Sequence, residues 1–472
     1  MKKINILIVG AGVAGRELTE ELKKHFSRRY QIAGILDDAK NLKGKKVAGF
    51  QVLGKINRLS SLIKKFNIEE VFIAIPSAQG RLIRKVINEC QNQRVKFKIV
   101  PRILEIVEGK VKISQVRDIE PEDLLGRAIV KSEQNILKDE FKGKTILVTG
   151  GAGSIGSELC RQLIQFMPKK LIILDSWESG LYNLELDLSD LADKSKFECI
   201  VGNIQDRNRL QEVMKKYRPQ IIFHAAAYKH VPLMQKFPFE AVKNNVFGTL
   251  NVAEVALGQK VKKFINISTD KVVDPSSLMG TTKFISELII SDLNDRGVTK
   301  FCSVRFGNVL GSQGSVVPTF KRQIAKGGPV TVMDKNMTRY FMTIPEAAQL
   351  VLNASSLVDI GNKTFVLDMG EPVKIDELAR LMIGLAGFVP DKEIKIKYVG
   401  IRPGEKLHEK LSQNYEKMKK TKNEKIFLIE KLKKPLEINS FLGDLKSTVE
   451  SNNKQKLFKL LKSVAPYLKP VG

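Results

Sequence analysis

At 472 residues the chain is long enough for two or three domains, each with its own core, and its 43% hydrophobic and 7% aromatic content is that of a globular protein. No run approaches the roughly 18–20 consecutive apolar residues of a membrane-spanning helix. The four cysteines (Cys90, Cys160, Cys199, Cys302) form no CxxC pair and the four histidines are scattered, which speaks against a disulfide scaffold, a zinc site and metal catalysis. The net charge of +28 is uneven: residues 1–140 hold 28 Lys and Arg against 17 Asp and Glu, and residues 401–472 hold 17 against 8. A polyanionic partner, an anionic membrane surface or a lysine-favouring genome would each produce this. Nucleic acid is not expected, because no aromatic-basic interleaving or DNA-binding motif occurs.

The chain opens on MKKINILIVGAGVAG, where two lysines and an apolar run raise the question of a signal peptide. Glycines 10, 12 and 15 interrupt that run and a charged helix follows, so a strand and turn fit better and a cytoplasmic location is expected. The order is that of a Rossmann half: strand INILIV, the turn Gly10-Ala-Gly12-Val-Ala-Gly15, an amphipathic helix, then strand QIAGILDD ending in Asp37 and Asp38. A helix near 57–66, strand VFIAIP, helix GRLIRKVINECQ and strand KFKIVP continue the alternation and predict a parallel sheet over 1–117. A GxGxxG alone leaves ligand binding here open. Residues 118–142 are charged and helix-compatible, and read as a linker or docking segment.

A second fold starts at about 143. Strand KTILVT runs into Thr149-Gly150-Gly-Ala-Gly153-Ser154-Ile155-Gly156 and the helix SELCRQLIQF. The next strand, KLIILD, ends at Asp175, whose carboxylate suits the adenosine ribose hydroxyls and repels a 2′-phosphate, so NAD is expected over NADP. Asn203 and Asp206 in VGNIQDR fall where the adenine edge would lie, and Ile204 between them is a further cofactor-binding candidate. Strand IIFHAAA ends in Ala225 and Ala226, small enough for close approach to a cofactor. His224, within that apolar strand, reads as a satisfied core histidine. The chain is therefore predicted to be α/β, with two Rossmann-like doubly wound parallel sheets.

After strand FINIS comes Thr269-Asp270-Lys271, and then Met279 and Lys283 four apart. Short-chain dehydrogenases carry a Tyr-x-x-x-Lys pair at this place, in which the lysine holds the nicotinamide ribose and the phenolate takes a substrate proton. Here methionine stands for tyrosine and cannot accept a proton. The stretches EDLLGR, TGGAGSIGSEL, FHAAAYKHVPLM, NNVFGT, STDKVVDPSSLMGTTK, RFGNVLGSQGSVVP, TRYFMTIPEA and RPGEKLHE resemble the UDP-N-acetylglucosamine 4,6-dehydratases of the polysaccharide-biosynthesis family, extended short-chain dehydrogenases with a small C-terminal substrate lobe. The N-terminal part resembles the nucleotide- or CoA-binding-like domain that precedes the catalytic one in larger members. Those members often begin with membrane-spanning helices, which are not expected here.

That resemblance implies a UDP-sugar substrate, NAD and a homo-oligomer. It also implies roles: Lys271 removes the C5 proton, Asp270 protonates the departing C6 oxygen, and Thr269 holds O4. Lys271 should then have a pKa brought down by burial, and Asp270 a raised one. Asp270 or a held water is the candidate acceptor of the O4 proton. Lys229 and His230 are candidates for the substrate diphosphate, with a solvated loop as the plain alternative. Asn308 is a candidate bridge to the cofactor, Arg339 and Arg402 offer guanidinium groups, and Glu405 offers a carboxylate. VVPTFKRQIAKGG should form a substrate-side helix. The catalytic domain is expected over 143–412, with a basic helical tail over 413–472 whose amphipathic pieces suit a neighbouring surface or a peripheral membrane contact. A C4 epimerase and a non-catalytic NAD- or nucleotide-sugar sensor remain open. The Asp-Lys pair speaks against the first, and the missing tyrosine supports the second.

Overall fold

The computed structural model describes residues 3–78, 80–100, 116–123, 134–358, 363–414, 416–431 and 437–469. The expected linker at 118–142 and the EDLLGR stretch lie partly outside these residues. The chain divides into two compact units: 1–129 with 319–331 and 377–397, and 130–318 with 332–376 and 398–472. Among the described residues no helix is long and apolar enough to cross a membrane.

In the first unit, strand Ile4–Val9 is paired in parallel on both sides, with Tyr30–Leu36 and Glu70–Ile73. Its residues Ile6 to Val9 are fully buried, as the unbroken apolar run requires of a strand covered on both faces. Phe50–Gly54 and Lys96–Ile99 extend the sheet, and Lys46–Val47 adds a short antiparallel edge. The strand order reverses beside Ile4–Val9. There Gly10 has φ +114°, and a Cβ on it would lie 2.5 Å from Ala74 O. Asp37 Oδ2 accepts the Ala11 N–H at 2.7 Å.

The second unit is built on a nine-stranded sheet. Phe197–Val201, Lys170–Asp175, Thr145–Thr149, Ile221–His224, Lys263–Ile267, Lys300–Arg305 and Lys363–Leu367 run parallel in that spatial order. The order reverses between Thr145–Thr149 and Ile221–His224, which opens a crevice at their carboxyl ends. Both sheets are Rossmann-like, as predicted.

The C-terminal segment differs from the expected helical tail. It begins with strands Glu416–Lys420 and Ile426–Lys431, a hairpin that completes the sheet antiparallel to Lys363–Leu367. Ile426 and Ile429 are buried, while the lysines of Glu416–Lys420 are exposed. Helices Ile438–Glu450 and Lys454–Val464 follow. The apolar face that suited a membrane lies instead in the unit's own core: Leu445, Leu457 and Leu461 are fully buried with Ile285 and Ile289. Each such leucine contributes about 1.5–3 kcal/mol, which undocking would forfeit. Helix Val316–Ala325 forms as predicted, with Lys321 and Arg322 exposed; its residues from Thr319 group with the first unit.

Candidate active site

The glycine turn of the second unit sits at the strand-order reversal. Gly150 has φ +70°, and a Cβ on it would lie 2.4 Å from Ala226 N, so only glycine lets the turn pass the small residues ending Ile221–His224. Ala225 N–H donates to Thr149 O at 2.9 Å. Helix Ser154–Gln165 starts from Gly153 in extended backbone with no side-chain cap. The first-turn N–H groups, including those of Ser154 and Ile155, are therefore suited to an anion. Gly156 presses the helix onto the turn, since a Cβ there would lie 2.0 Å from Gly150 O. Asp175 closes the crevice, accepting the Ala152 N–H through Oδ2 and the Trp177 N–H through Oδ1, both at 3.0 Å. Asn203 is exposed beside buried Ile204, which meets Gly248. This uncapped helix end, space-limited turn and acid fit a dinucleotide.

Thr269, Asp270 and Lys271 follow strand Lys263–Ile267. Thr269 Oγ1 donates to Asp270 Oδ1 at 3.0 Å, and Lys271 Nζ donates to Asp270 Oδ1 at 2.9 Å and Asn308 Oδ1 at 3.0 Å. Asp270 is 1% exposed, and its Oδ2 has no hydrogen-bond partner among the described residues. Gly307 flanks that oxygen, 3.0 Å from where its own Cβ would be. The expectation of a lowered Lys271 pKa is corrected. Burial pulls it down, but the Asp270 and Glu409 carboxylates outweigh burial and the opposing Arg339, and hold Lys271 above its ordinary value. Lys283 behaves as expected of Lys271: burial brings it down to about 8 against the pull of Glu287. Its Nζ lies 3.5 Å from Asn266 Oδ1. Met279, one turn earlier on helix Leu278–Leu293, is 4% exposed and packs in the core.

His224 is fully buried between Thr149 Oγ1 at 2.7 Å and Thr249 Oγ1 at 3.0 Å. Burial, helped by Lys283, lowers its pKa to about 3, so it is a neutral core residue, as its sequence context indicated. Asn308 joins the site through Lys271. Lys229 is exposed, and His230 is half-buried against Gly314. Arg402 is exposed. Arg339 and Glu405 differ from expectation. The guanidinium is 6% exposed and donates to Glu405 Oε2 at 2.9 Å, Thr338 O at 2.8 Å and Leu407 O at 3.2 Å. These two side chains hold the RPGEK loop by engaging each other.

Several residues of the site are invisible to motif reasoning. Arg305 is 1% exposed. Its Nε and Nη2 donate to Glu287, and its Nη1 and Nη2 to Glu416, at 2.7–2.8 Å. Glu287 also accepts the Ser268 hydroxyl at 2.7 Å. Glu416 accepts the Gln413 N–H at 2.9 Å, while Gln413 Nε2 donates to Val272 O at 3.2 Å. One ionic cluster thus holds the chain immediately before and after Thr269–Lys271. A glutamate inside the apolar helix FISELII was its one sequence signal. Asn245 accepts the Tyr228 N–H and donates to Thr282 Oγ1 from a π-helical turn, Lys243–Gly248, a distortion common at functional sites.

Residues 146–431 match a family described as polysaccharide biosynthesis protein, and residues 2–101 match a CoA-binding domain. The capsular polysaccharide biosynthesis protein CapD of Staphylococcus aureus is 44% identical over 90% of this chain and 72% of its own length. An inverting UDP-N-acetylglucosamine 4,6-dehydratase of Campylobacter jejuni is 35% identical over 57% of this chain and 77% of its own. A UDP-glucose 4-epimerase of Rickettsia bellii is 33% identical over 59% and 80%. Among solved structures, Pen from Bacillus thuringiensis superposes with a TM-score of 0.57 at 33% identity, covering 62% of this chain and 92% of that one.

Proposed function

Because the chain belongs to the polysaccharide biosynthesis protein family, we propose that it catalyses NAD-dependent 4,6-dehydration of UDP-N-acetylglucosamine. The product is a UDP-4-keto-6-deoxy-N-acetylhexosamine destined for a surface polysaccharide or glycan. The observation that carries this reading is the pair Asp270–Lys271: a buried carboxylate with one oxygen unpartnered, hydrogen-bonded through the other to the half-buried Lys271 amine. The C. jejuni dehydratase among the relatives supports it.

When bound, NAD would supply the reversible hydride chemistry between C4 and C6. The turn at Gly150, Gly153 and Gly156 would hold its pyrophosphate, Asp175 its adenosine ribose, and Lys283 its nicotinamide ribose. The protons are left to the chain. O4 and C5 each lose one, and the departing C6 oxygen and C5 each gain one. Asp270 Oδ2 takes the O4 proton, which removes any need for a phenol at Met279, and carries it to the C6 oxygen, which leaves as water. Lys271 takes the C5 proton and returns one to C5. Thr269 and Asn308 keep the pair in register. Lys229, His230 and Arg402 remain the candidates for the diphosphate.

A C4 epimerase, which the Rickettsia relatives bring to mind, moves a hydride at C4 and the O4 proton but breaks neither C5–H nor C6–O, so it has no use for a C5 base or for an acid at the C6 oxygen. Proton NMR with UDP-N-acetylglucosamine and NAD in heavy water separates the two. A new methyl signal with deuterium at C5 is expected, and the ring couplings report C5 configuration. A C4 epimer without a methyl group would replace this reading, and NAD binding with no change in any UDP-hexose would favour a sensor. Asp270→Asn and Lys271→Ala should each abolish the methyl signal.

A further inference from the structure

Dehydration by this pair leaves one proton unplaced. Lys271 must meet the C5 hydrogen as a neutral amine, yet it rests as an ammonium. Resting on the dehydratase reading, we propose that Glu409 is the acceptor of the proton that Lys271 sheds before it acts as base. The Glu409 side chain is 2% exposed, and its Oε2 has no hydrogen-bond partner among the described residues. Lys406 Nζ stands 3.6 Å from that oxygen while donating to Val273 O at 2.6 Å. Glu409 and Lys271 line the same narrow cleft, with Ser276, Ser277 and Gly404. Glu405, on the same wall, is engaged by Arg339. A buried carboxylate oxygen without a donor is unfavourable by about 1–3 kcal/mol or more, so its place on the cleft that Lys271 also lines calls for a use.

The loop bearing Glu409 is fastened to the segment that follows Lys271. Ser276 Oγ donates to Gly404 O at 2.9 Å, and Lys410 Nζ to Asp274 Oδ2 at 3.0 Å. Gly404 has φ +84°, and a Cβ on it would lie 3.0 Å from the Ser277 Cβ. Glu409 is thereby held against the cleft. The charges acting on Lys271 are Asp270, Glu409 and Arg339.

The protons then balance over one turnover. Asp270 takes the O4 proton and becomes neutral, which removes the strongest charge holding Lys271 protonated and leaves burial and Arg339 to drive the proton off. Lys271 passes it to Glu409, directly or through one water, giving amine and carboxylic acid. The amine takes the C5 proton, and Asp270 gives its proton to the leaving C6 oxygen. Lys271 protonates C5 as C6 is reduced, and Glu409 returns its proton to Lys271. Glu409 acts through Lys271 and is in that sense a positioning residue for the base.

The test is steady-state turnover of the full chain, wild type and Glu409→Gln, with UDP-N-acetylglucosamine and NAD from about pH 6 to about pH 10, together with deuterium wash-in at C5. Loss of the relay should lower kcat about 10- to 100-fold near neutrality, with KM within about twofold. The deficit should shrink as rising pH deprotonates Lys271 without help, and wash-in should fall in parallel. Glu409→Asp should recover part of the rate. A carboxylate acting only through its field predicts the opposite sign: Glu409→Gln would ease Lys271 deprotonation and raise activity on the acid side. That result, an unchanged profile, or an Asp variant no better than Gln would overturn the proposal. Absence of product from the wild-type chain would instead overturn the dehydratase reading and the relay with it.

Discussion

Glu416→Ala should destabilise the second unit far more than its position in a lysine-rich terminal hairpin suggests. Arg305, Glu287 and Glu416 are each 1% exposed at the side chain, so water cannot replace a lost partner. The substitution removes two charge-assisted bonds, at 2.7 and 2.8 Å, and the acceptor of the Gln413 N–H. Breaking a buried pair from one side costs roughly 3–5 kcal/mol. Glu287 still neutralises the guanidinium, so the lower end is expected. At about 1.5 °C per kcal/mol for a unit of roughly 310 residues, the midpoint should fall by roughly 5 °C. Calorimetry of the full chain, following the transition of the second unit, measures this. Asp187→Ala is the control. It breaks a 3.0 Å pair with Arg161 whose side chains are 52% and 35% exposed, which should cost under about 1 kcal/mol. Equal midpoints for the two variants would refute the reasoning. Because the cluster holds Ser268 and, through Gln413, Val272, Glu416→Ala should also lower kcat at temperatures where the unit is folded.

Three further outcomes are expected. The folded chain refuses a proton at His224 until about pH 3, whereas the unfolded chain takes one below about 6.5, so stability falls as pH drops through that window. At about pH 4.5 the loss is on the order of 3 kcal/mol, and His224→Asn should remove that part of the difference between urea midpoints at neutral pH and at about 4.5; an unchanged difference would show that another group is responsible. Met279→Leu should keep kcat within about tenfold of wild type, since a volume-conserving swap costs under about 1.5 kcal/mol and the side chain transfers no proton; a loss as deep as that of Lys271→Ala would contradict this. Gly150→Ala, facing Ala226 N at 2.4 Å with φ +70°, should weaken NAD binding at least about tenfold by fluorescence titration, and wild-type affinity would place the cofactor elsewhere.

The repeated order of strand, glycine turn, helix and acid was legible because each step is decided within a few residues. An apolar run forms a buried strand, Gly10 and Gly150 take positive-φ conformations that favour glycine, and Asp37 and Asp175 stand at the end of the next strand. The Thr269-Asp270-Lys271 run, and methionine in place of tyrosine, were likewise written locally. Charge states and partners were not. Lys271 is held protonated by two carboxylates, one of them 138 positions later in the chain. Arg339, a candidate ligand group in the sequence, is paired with Glu405, 66 positions later in the chain. The C-terminal hairpin is seated by pairing with Lys363–Leu367 and by Glu416 meeting Arg305 in the core, both distant in the chain. Sequence by itself determined the two folds, since sterics and periodicity act between neighbours. Only the tertiary structure decided which buried charges meet, since their energies depend on burial and on distances that the folded chain alone sets.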